Sequence, residues 1–484
     1  MTVMTDAALA FHRRIDAALA DTGLRNALAL TTGRLASGRS GAFGALADAE
    51  ACRDEARRAR AVAIARLDSY LEQFAREASE RGCTVHWAET ADDARRIITG
   101  IARENHVRLA VKSKSMATEE VELNEALEHA GVRVVETDLG EFVVQLGGDR
   151  PSHIITPIIH RNRQYVAALF REKLGATPDE VADIPAMTAF ARRVLRDEFL
   201  HAGMGISGVN LAVAETGRVC IVTNEGNGRL TTTLPRVHVA LMGLERIVPT
   251  AADLATVLTV LARSATGQVS PVYTNVMTGP RRAAAAPEAR PAREPDGPEQ
   301  LHIVILDNGR SRMLGGALAE ILYCVRCGAC LNACPVYRVI GGHAYGGVYP
   351  GPVGSVVMPG LHGVEGWSEL AHASSLCGAC RDVCPVKIDL PHLLLAVRQE
   401  AAAKPLAPLW IRAGMPFYAA VVTRPRLYRI ASAAAGILGR VVGRNGWVRR
   451  LPGPLGAWTA SRDFPMPAAR SFLKQRRDRA EAVR

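Results

Sequence analysis

Seven of the ten cysteines in this 484-residue chain lie between residues 324 and 384. They form two runs, Cys324-Val-Arg-Cys327-Gly-Ala-Cys330-Leu-Asn-Ala-Cys334-Pro335 and Cys377-Gly-Ala-Cys380-Arg-Asp-Val-Cys384-Pro385. The first has the C-x₂-C-x₂-C-x₃-C-P spacing of cubane iron–sulfur proteins, in which the fourth cysteine serves the other cluster. Three thiolates two residues apart let one tight loop reach three corners of a cube. Proline after the fourth fixes φ and removes an N–H, which ends the loop. On this logic Cys324, Cys327, Cys330 and the distant Cys384 hold cluster one, a [4Fe-4S] centre. Cys334, Cys377 and Cys380 hold cluster two. Aligning the runs puts Ser374 where a fourth cysteine would stand, so cluster two is either [3Fe-4S] or a [4Fe-4S] completed by another ligand. Paired C-x₂-C also binds zinc, but the doubled C-P run is far more specific than that. Cys52, Cys83 and Cys220 stand outside any metal spacing.

Cluster thiolates must stay unoxidised, which points to a reducing compartment. The first residues lack the apolar core of a secretory signal, and no stretch supplies the eighteen or so apolar residues of a membrane span. Charge is unevenly placed. Residues 401–484 carry 16 basic and 3 acidic residues, and the other 400 carry 43 and 45. The body is therefore not a nucleic-acid binder. The basic tail suits an acidic partner. Packing against a partner or the body is preferred to a membrane-surface helix in residues 416–442, although contact with an anionic membrane stays open.

The elements that must position the cysteines follow from periodicity. Residues 1–80 read as helices, rich in Ala, Leu, Arg and Glu. Residues 81–279 then alternate strands and helices, which predicts βαβ units and a mostly parallel sheet. Strands are expected at 83–87, 109–112, 132–136, 208–214, 218–223 and 237–243, with helices at 91–105 and 115–130. Residues 138–140 read as a turn and 224–228 as a polar loop. Residues 280–300, with five prolines, read as an extended linker. Residues 301–311 add a strand and turn to the α/β domain. A helix over 312–322 should deliver the first cysteine into a cluster domain spanning 312–400. Its glycine-rich segment 339–366 reads as a loop folded over a cluster, and 391–402 as a helix.

The α/β part also holds candidate ligand groups. Lys112, Ser113, Lys114 and Ser115 follow a strand and precede a helix, where α/β sheets bind ligands and helix N–H groups suit an anion. Asn224 and Glu225 sit at another strand end. Each alone also reads as a surface or capping residue, and no catalytic residue can be singled out. No G-x-G-x-x-G dinucleotide fingerprint follows a strand.

Several of these stretches carry a resemblance. Lys112-Ser-Lys-Ser-Met116 with Glu119-Glu120 and Leu123-Asn124 is similar to the lactate-utilization (LUD) domain. So are Glu136-Thr-Asp-Leu-Gly-Glu141, Pro151-Ser-His-Ile154, Asn224-Glu-Gly-Asn227 and Asp307-Asn-Gly-Arg-Ser311. With the seven-cysteine module, the chain resembles the iron–sulfur B subunits of bacterial L-lactate utilization complexes. The resemblance implies a cytoplasmic subunit of a three-component system oxidising L-lactate to pyruvate, partnered by a cysteine-rich subunit and a second lactate-utilization-domain subunit. It also implies a sheet of the NagB/RpiA/CoA-transferase type. Other readings stay open: a redox-sensing or regulatory iron–sulfur protein with a ligand-binding α/β domain, or electron transfer from another 2-hydroxy acid such as glycolate.

Overall fold

The computed structural model describes residues 6–281 and 297–404, and most of 406–479. Contacts divide the described residues into one unit up to residue 404 and another beyond it. The expected linker lies largely outside the described residues.

Four helices open the first unit: Asp6–Ala20, Thr22–Gly44, Ala49–Ala65 and Leu67–Glu80. Asp21 and Asp48 cap the second and third, accepting backbone N–H groups at 2.8 Å, the usual role of Asp at an N-cap. Ten strands follow among the described residues of this unit: β1 Thr84–Ala88, β2 Leu109–Lys112, β3 Arg133–Glu136, β4 Met204–Gly208, β5 Leu211–Val213, β6 Arg218–Thr223, β7 Val237–Gly243, β8 Ile247–Val248, β9 Tyr273–Met277 and β10 Gln300–Leu306. Six make an all-parallel sheet in the order β1-β10-β7-β4-β2-β3. The strand beyond the linker thus lies inside the sheet, between β1 and β7. The other four form a mixed sheet, β8-β5-β6-β9.

A parallel sheet is covered on both faces, so its central strands are mostly apolar; all seven residues of β7 are buried. Alternate side chains serve opposite cores. Ala110, Val134, Val239 and Val304 pack with Ile98 and Ile101 of helix Ala91–Glu104. Leu109, Val111 and Val135 pack with Phe142, Phe170 and Phe190 on the other face.

Several elements differ from expectation. The helix expected over 115–130 is two, Met116–Glu120 and Leu123–His129, broken where Glu122 takes φ 50°. The break lets Glu119 and Glu120 turn inward to cations, as described below. Residues 138–140 begin helix Leu139–Leu146, with Asp138 as its cap. The 224–228 loop passes through left-handed Gly226 into helix Asn227–Thr233. Expected strand 208–214 is the shorter β5, and β4, which was not expected, ends at Gly208 just before it. The helix expected over 312–322 is two 3₁₀ turns, Ser311–Met313 and Ala319–Tyr323, separated at left-handed Gly315. The glycine-rich segment is not an open loop, for it contains helix Gly351–His362, almost wholly buried. Glycine serves close approach here. A Cβ on Gly342 would sit 1.8 Å from the Ser152 carbonyl oxygen, where this segment crosses the Pro151–Ile154 stretch. Gly342→Ala should therefore destabilise the protein by roughly 1–3 kcal/mol, the range for overpacking, read as a lowered urea midpoint. A midpoint equal to wild type would mean the crossing is looser than described.

The second unit holds helices Leu409–Val422 and Pro425–Val442 and a short antiparallel pair, Trp447–Val448 with Phe464–Pro465. Among the described residues no helix is long and apolar enough to cross a membrane.

Candidate metal centre and adjoining cavity

Cys324, Cys327, Cys330 and Cys384 line one small cavity whose remaining walls include Ile154, Val353, Val386 and Leu390. Cysteines from both runs therefore converge, although 54 positions separate Cys330 from Cys384. The two runs repeat a backbone. Arg326 and Gly328 take φ 57° and 75°, and Leu376 and Gly378 take 53° and 88°. This repeat pairs Cys327 with Cys377, Cys330 with Cys380 and Cys324 with Ser374. The Ser374 hydroxyl accepts the Leu376 N–H at 3.1 Å.

The donor set fits iron–sulfur clusters in chemistry as well as placement. Backbone N–H groups of Arg326, Tyr337 and Ile388 donate to the sulfurs of Cys324, Cys334 and Cys384 at 3.3, 3.5 and 3.4 Å, a contact that favours thiolate and tunes a bound cluster. Burial pushes the Cys327 and Cys380 thiols up to about 12 and Cys384 up to about 11. Cys330 and Cys334 are pushed up for the same reason. A buried thiol ionises when a cation compensates the lost hydration, so these sulfurs suit metal better than water. Cys377 is exposed, and the Ala379 N–H and the Ser375 hydroxyl draw it down.

The framework around the cysteines includes residues that periodicity assigned only to packing helices. Arg53, Arg57 and Arg60 lie on one face of helix Ala49–Ala65, at i, i+4 and i+7. Arg53 donates to the carbonyls of Asp382 and Cys384 at 2.9 and 2.8 Å. Arg57 donates to the Lys387 carbonyl and pairs with Glu320, each at 2.6 Å. Arg60, 1% exposed, donates to the carbonyls of Leu322 and Tyr323 at 2.9 and 3.2 Å, and to those of Glu245 and Ile247. One helix thus clamps the entry to the first run, the exit from the second and the end of β7. The arginine spacing was the available signal, but arginines at that spacing usually mark a solvated face. The Pro151–Ile154 stretch supplies another support. His153 is buried, and burial together with Lys114 lowers it to about 3. The ring is therefore neutral; Nδ1 accepts the Ile155 and Thr156 N–H groups, and Nε2 donates to Asn332 at 3.2 Å.

A second cavity, of about 360 Å³, adjoins the first. Its lining includes residues just past the carboxyl ends of β2, β3, β4, β7 and β10: Ser115, Asp138, Asn210, Arg246 and Arg310. This is where parallel sheets place ligands. Five of the six candidate ligand residues line it: Ser113, Lys114, Ser115, Asn224 and Glu225. Lys112 stands apart, fully buried, its ammonium 2.7 Å from both Glu119 and Glu136. It shares the face of Ala110 on β2, so it points into the protein and not past the strand end. Ser115 caps helix Met116–Glu120, and the Asn224 amide is engaged by Gln268 and the Val272 N–H. Lys114 donates to the Ile155 carbonyl at 2.9 Å and lies 3.3 Å from Glu141. Glu225 is exposed as a residue at the rim. Its carboxyl is nonetheless set in far enough for burial and Asp138 to lift it to about 7.

Between the cavities runs a buried charge network. Arg310 grips both oxygens of Glu120 at 2.8 Å and donates to Glu245 at 2.7 Å. The Tyr349 hydroxyl donates to Glu120 at 2.7 Å, and the Arg326 guanidinium lies 4.5 Å over the Tyr349 ring.

Residues 71–306 match the family model of the LUD domain, residues 320–388 that of the 4Fe-4S dicluster domain, and residues 398–481 that of the C-terminal part of lactate utilisation protein B. The chain is 43% identical over 468 residues to lactate utilization protein B of Bacillus pumilus (strain SAFR-032), covering 96% of each. It is 41% identical over 462 residues to the uncharacterized electron transport protein YkgF of Escherichia coli (strain K12), covering 96% of this chain and 95% of that one. A crystal structure of a duf162 family protein from Deinococcus radiodurans covers 50% of this chain and 98% of its own, with 12% identity and a TM-score of 0.27. At that similarity it carries no argument.

Proposed function

We propose that this chain, which belongs to the lactate utilization protein B family, is the iron–sulfur electron-transfer subunit of a complex that oxidises L-lactate to pyruvate. The observation that carries the reading is the cavity shared by Cys324, Cys327, Cys330 and Cys384. A cysteine of the second run closing the site of the first is the cross-ligation of two-cluster ferredoxins. Cluster one is then a [4Fe-4S] centre on those four residues, and cluster two is held by Cys334, Cys377 and Cys380, with Ser374 beside its open corner. Such clusters supply one-electron acceptance. Lactate oxidation releases two electrons and two protons, so two one-electron centres match its count. The chain itself binds the clusters, places backbone donors at their sulfurs and covers them with buried apolar side chains.

In this reading residues 81–279 and 301–311 are the recognition domain, with a sheet of the NagB/RpiA/CoA-transferase type. Residues 280–300 link its parts, residues 312–400 carry the clusters, and the basic region 401–484 meets a partner. The partners are a cysteine-rich subunit and a second lactate-utilization-domain subunit, in the cytoplasm. Deleting the gene in a host without another L-lactate dehydrogenase should abolish growth on L-lactate as sole carbon source. Normal growth would sink the proposal.

Ser374→Cys tests the ligand register. Anaerobically purified wild type should contain about seven irons if cluster two lacks one corner, and about eight if it is complete. If wild type gives seven, the variant should give eight, and the three-iron EPR signal should be replaced. An unchanged three-iron spectrum would show that the second run is misaligned.

A further inference from the structure

Arg326 occupies an unusual position, because it lines both the cysteine cavity and the larger cavity beside it. Its backbone belongs to the first run, where its N–H donates to Cys324 Sγ at 3.3 Å. Its guanidinium reaches the other way, to the Tyr349 ring at 4.5 Å and Glu245 at 3.7 Å, both of which line the larger cavity alone. The residue is 9% exposed, and its Nε and Nη1 are buried with no hydrogen-bond partner among the described residues. A buried guanidinium normally has its donors filled, because an empty donor forfeits its hydration without return. Arg246, also on the cavity wall, stands 3.7 Å from the same Glu245 oxygen, beyond hydrogen-bond range. Glu245 gives its short contact to Arg310, at 2.7 Å. Arg310 is itself satisfied by Glu120 and Glu245, so Arg246 and Arg326 share one carboxylate oxygen that neither reaches closely.

The charge inventory indicates what is missing. The lining cations are Lys114, Arg246, Arg310 and Arg326; Lys114 has Glu141 and Arg310 has Glu120 and Glu245 close by, which leaves Arg246 and Arg326 without a close carboxylate. That suits a monoanion better than a phosphate ester, whose second negative charge would face the lining carboxylates. Guanidinium groups favour planar carboxylates, which take two parallel hydrogen bonds.

We propose that this cavity binds a small organic monocarboxylate, with its carboxylate on Arg326 and Arg246, and that its occupancy is coupled to the reduction of the cluster held by Cys324. The proposal rests on the electron-transfer reading and extends it by placing the 2-hydroxy or 2-oxo acid on this chain, beside cluster one. The cavity has room for a three-carbon acid. An anion on Arg326 offsets the positive charge nearest Cys324, so the cluster should become harder to reduce when the site is filled. Reciprocally, the oxidised protein should bind the acid more tightly; a tenfold preference corresponds to a shift of about 59 mV for a one-electron centre.

The test uses the full chain with its clusters, purified without oxygen. L-lactate, pyruvate and inorganic phosphate are titrated by calorimetry, and cluster potentials are read by EPR with and without saturating acid. The variants are Arg326→Gln and Arg246→Gln, with iron content as the check on cluster loading. The proposal is supported if lactate or pyruvate binds, both variants weaken it at least tenfold at unchanged iron content, and one cluster of wild type shifts to lower potential on binding. If Arg326→Gln loses iron, Arg246→Gln, outside the cysteine runs, decides alone. The proposal is overturned if neither acid binds, if the variants bind them as wild type does, if phosphate binds more tightly, or if binding leaves both potentials unmoved. Failure of the underlying reading looks different, since the clusters would then fail to cycle reversibly with a chemical reductant alone.

Discussion

Cys384→Ala should abolish cluster one and, with it, the ability of the complex to support growth on L-lactate. Iron should fall by about four per chain, one cubane's content. Cys384 is buried in the same cavity as Cys324, Cys327 and Cys330, and nothing else on that wall offers a soft ligand, since its neighbours Val386, Ile388 and Leu390 are apolar. The Ile388 N–H that donates to its sulfur at 3.4 Å and the Arg53 contacts to its carbonyl fix this cysteine, so no other can slide into its place. Cys220→Ala is the control: that thiol is buried in β6, outside both runs, where burial raises it to about 12. It should lose no iron. Full iron in Cys384→Ala would mean that the two runs do not share a cluster.

Arg310→Met should destabilise the protein by roughly 3–5 kcal/mol at neutral pH, the range for breaking a buried pair from one side. The variant takes the closest cation from two carboxylates, Glu120 and Glu245, each 2% exposed. Burial opposes ionisation of Glu245, but Arg310, Arg246 and Arg326 prevail and hold it down to about 2. Glu120 is likewise held low against burial, chiefly by Arg310. A carboxylate with a depressed folded pKa adds stability that is complete above its unfolded value and is lost as pH falls toward the folded one. The gap between variant and wild type should therefore be widest near pH 7 and should narrow as pH drops below about 4.5. Urea unfolding across that range reads it. A difference under about 0.5 kcal/mol at pH 7, the scale of ordinary surface substitutions, would show that the network is not what joins β10 to the helix bearing Glu120.

The parts legible in the sequence share a cause: each rests on a local rule. Cysteine spacing is set by the size of a cube of iron and sulfur, so both runs, and the convergence of Cys384 on Cys324, Cys327 and Cys330, could be read directly. Apolar runs such as 237–243 are dictated by burial on both sheet faces, and the alternation with helices predicted parallel pairing. What escaped depends on partners far along the chain. The Arg53, Arg57 and Arg60 face reads as solvated until carbonyls near residues 320 and 385 fold over it. Lys112 reads as a ligand group at a strand end because its proper partners, Glu119 and Glu136, lie on separate later elements. Helix Gly351–His362 was hidden by its own composition: glycine argues against a helix, yet here it permits packing no larger residue would allow. A Cβ on Gly354 would meet the Tyr349 carbonyl oxygen at 1.7 Å. Arg326, between two cysteines of the first run, gives no signal in the sequence, because spacing rules describe the sulfurs and not what separates them.

The central claim, that electrons from L-lactate pass through this chain, is tested most directly by mixing L-lactate with the anaerobically reconstituted complex and freezing samples for EPR within the first turnover. Reduced-cluster signals from this subunit should appear as pyruvate forms and vanish when an oxidant is added, with no loss of iron. Pyruvate formation while both clusters stay oxidised, or clusters that lose iron on oxidation as a sensor would, contradicts it.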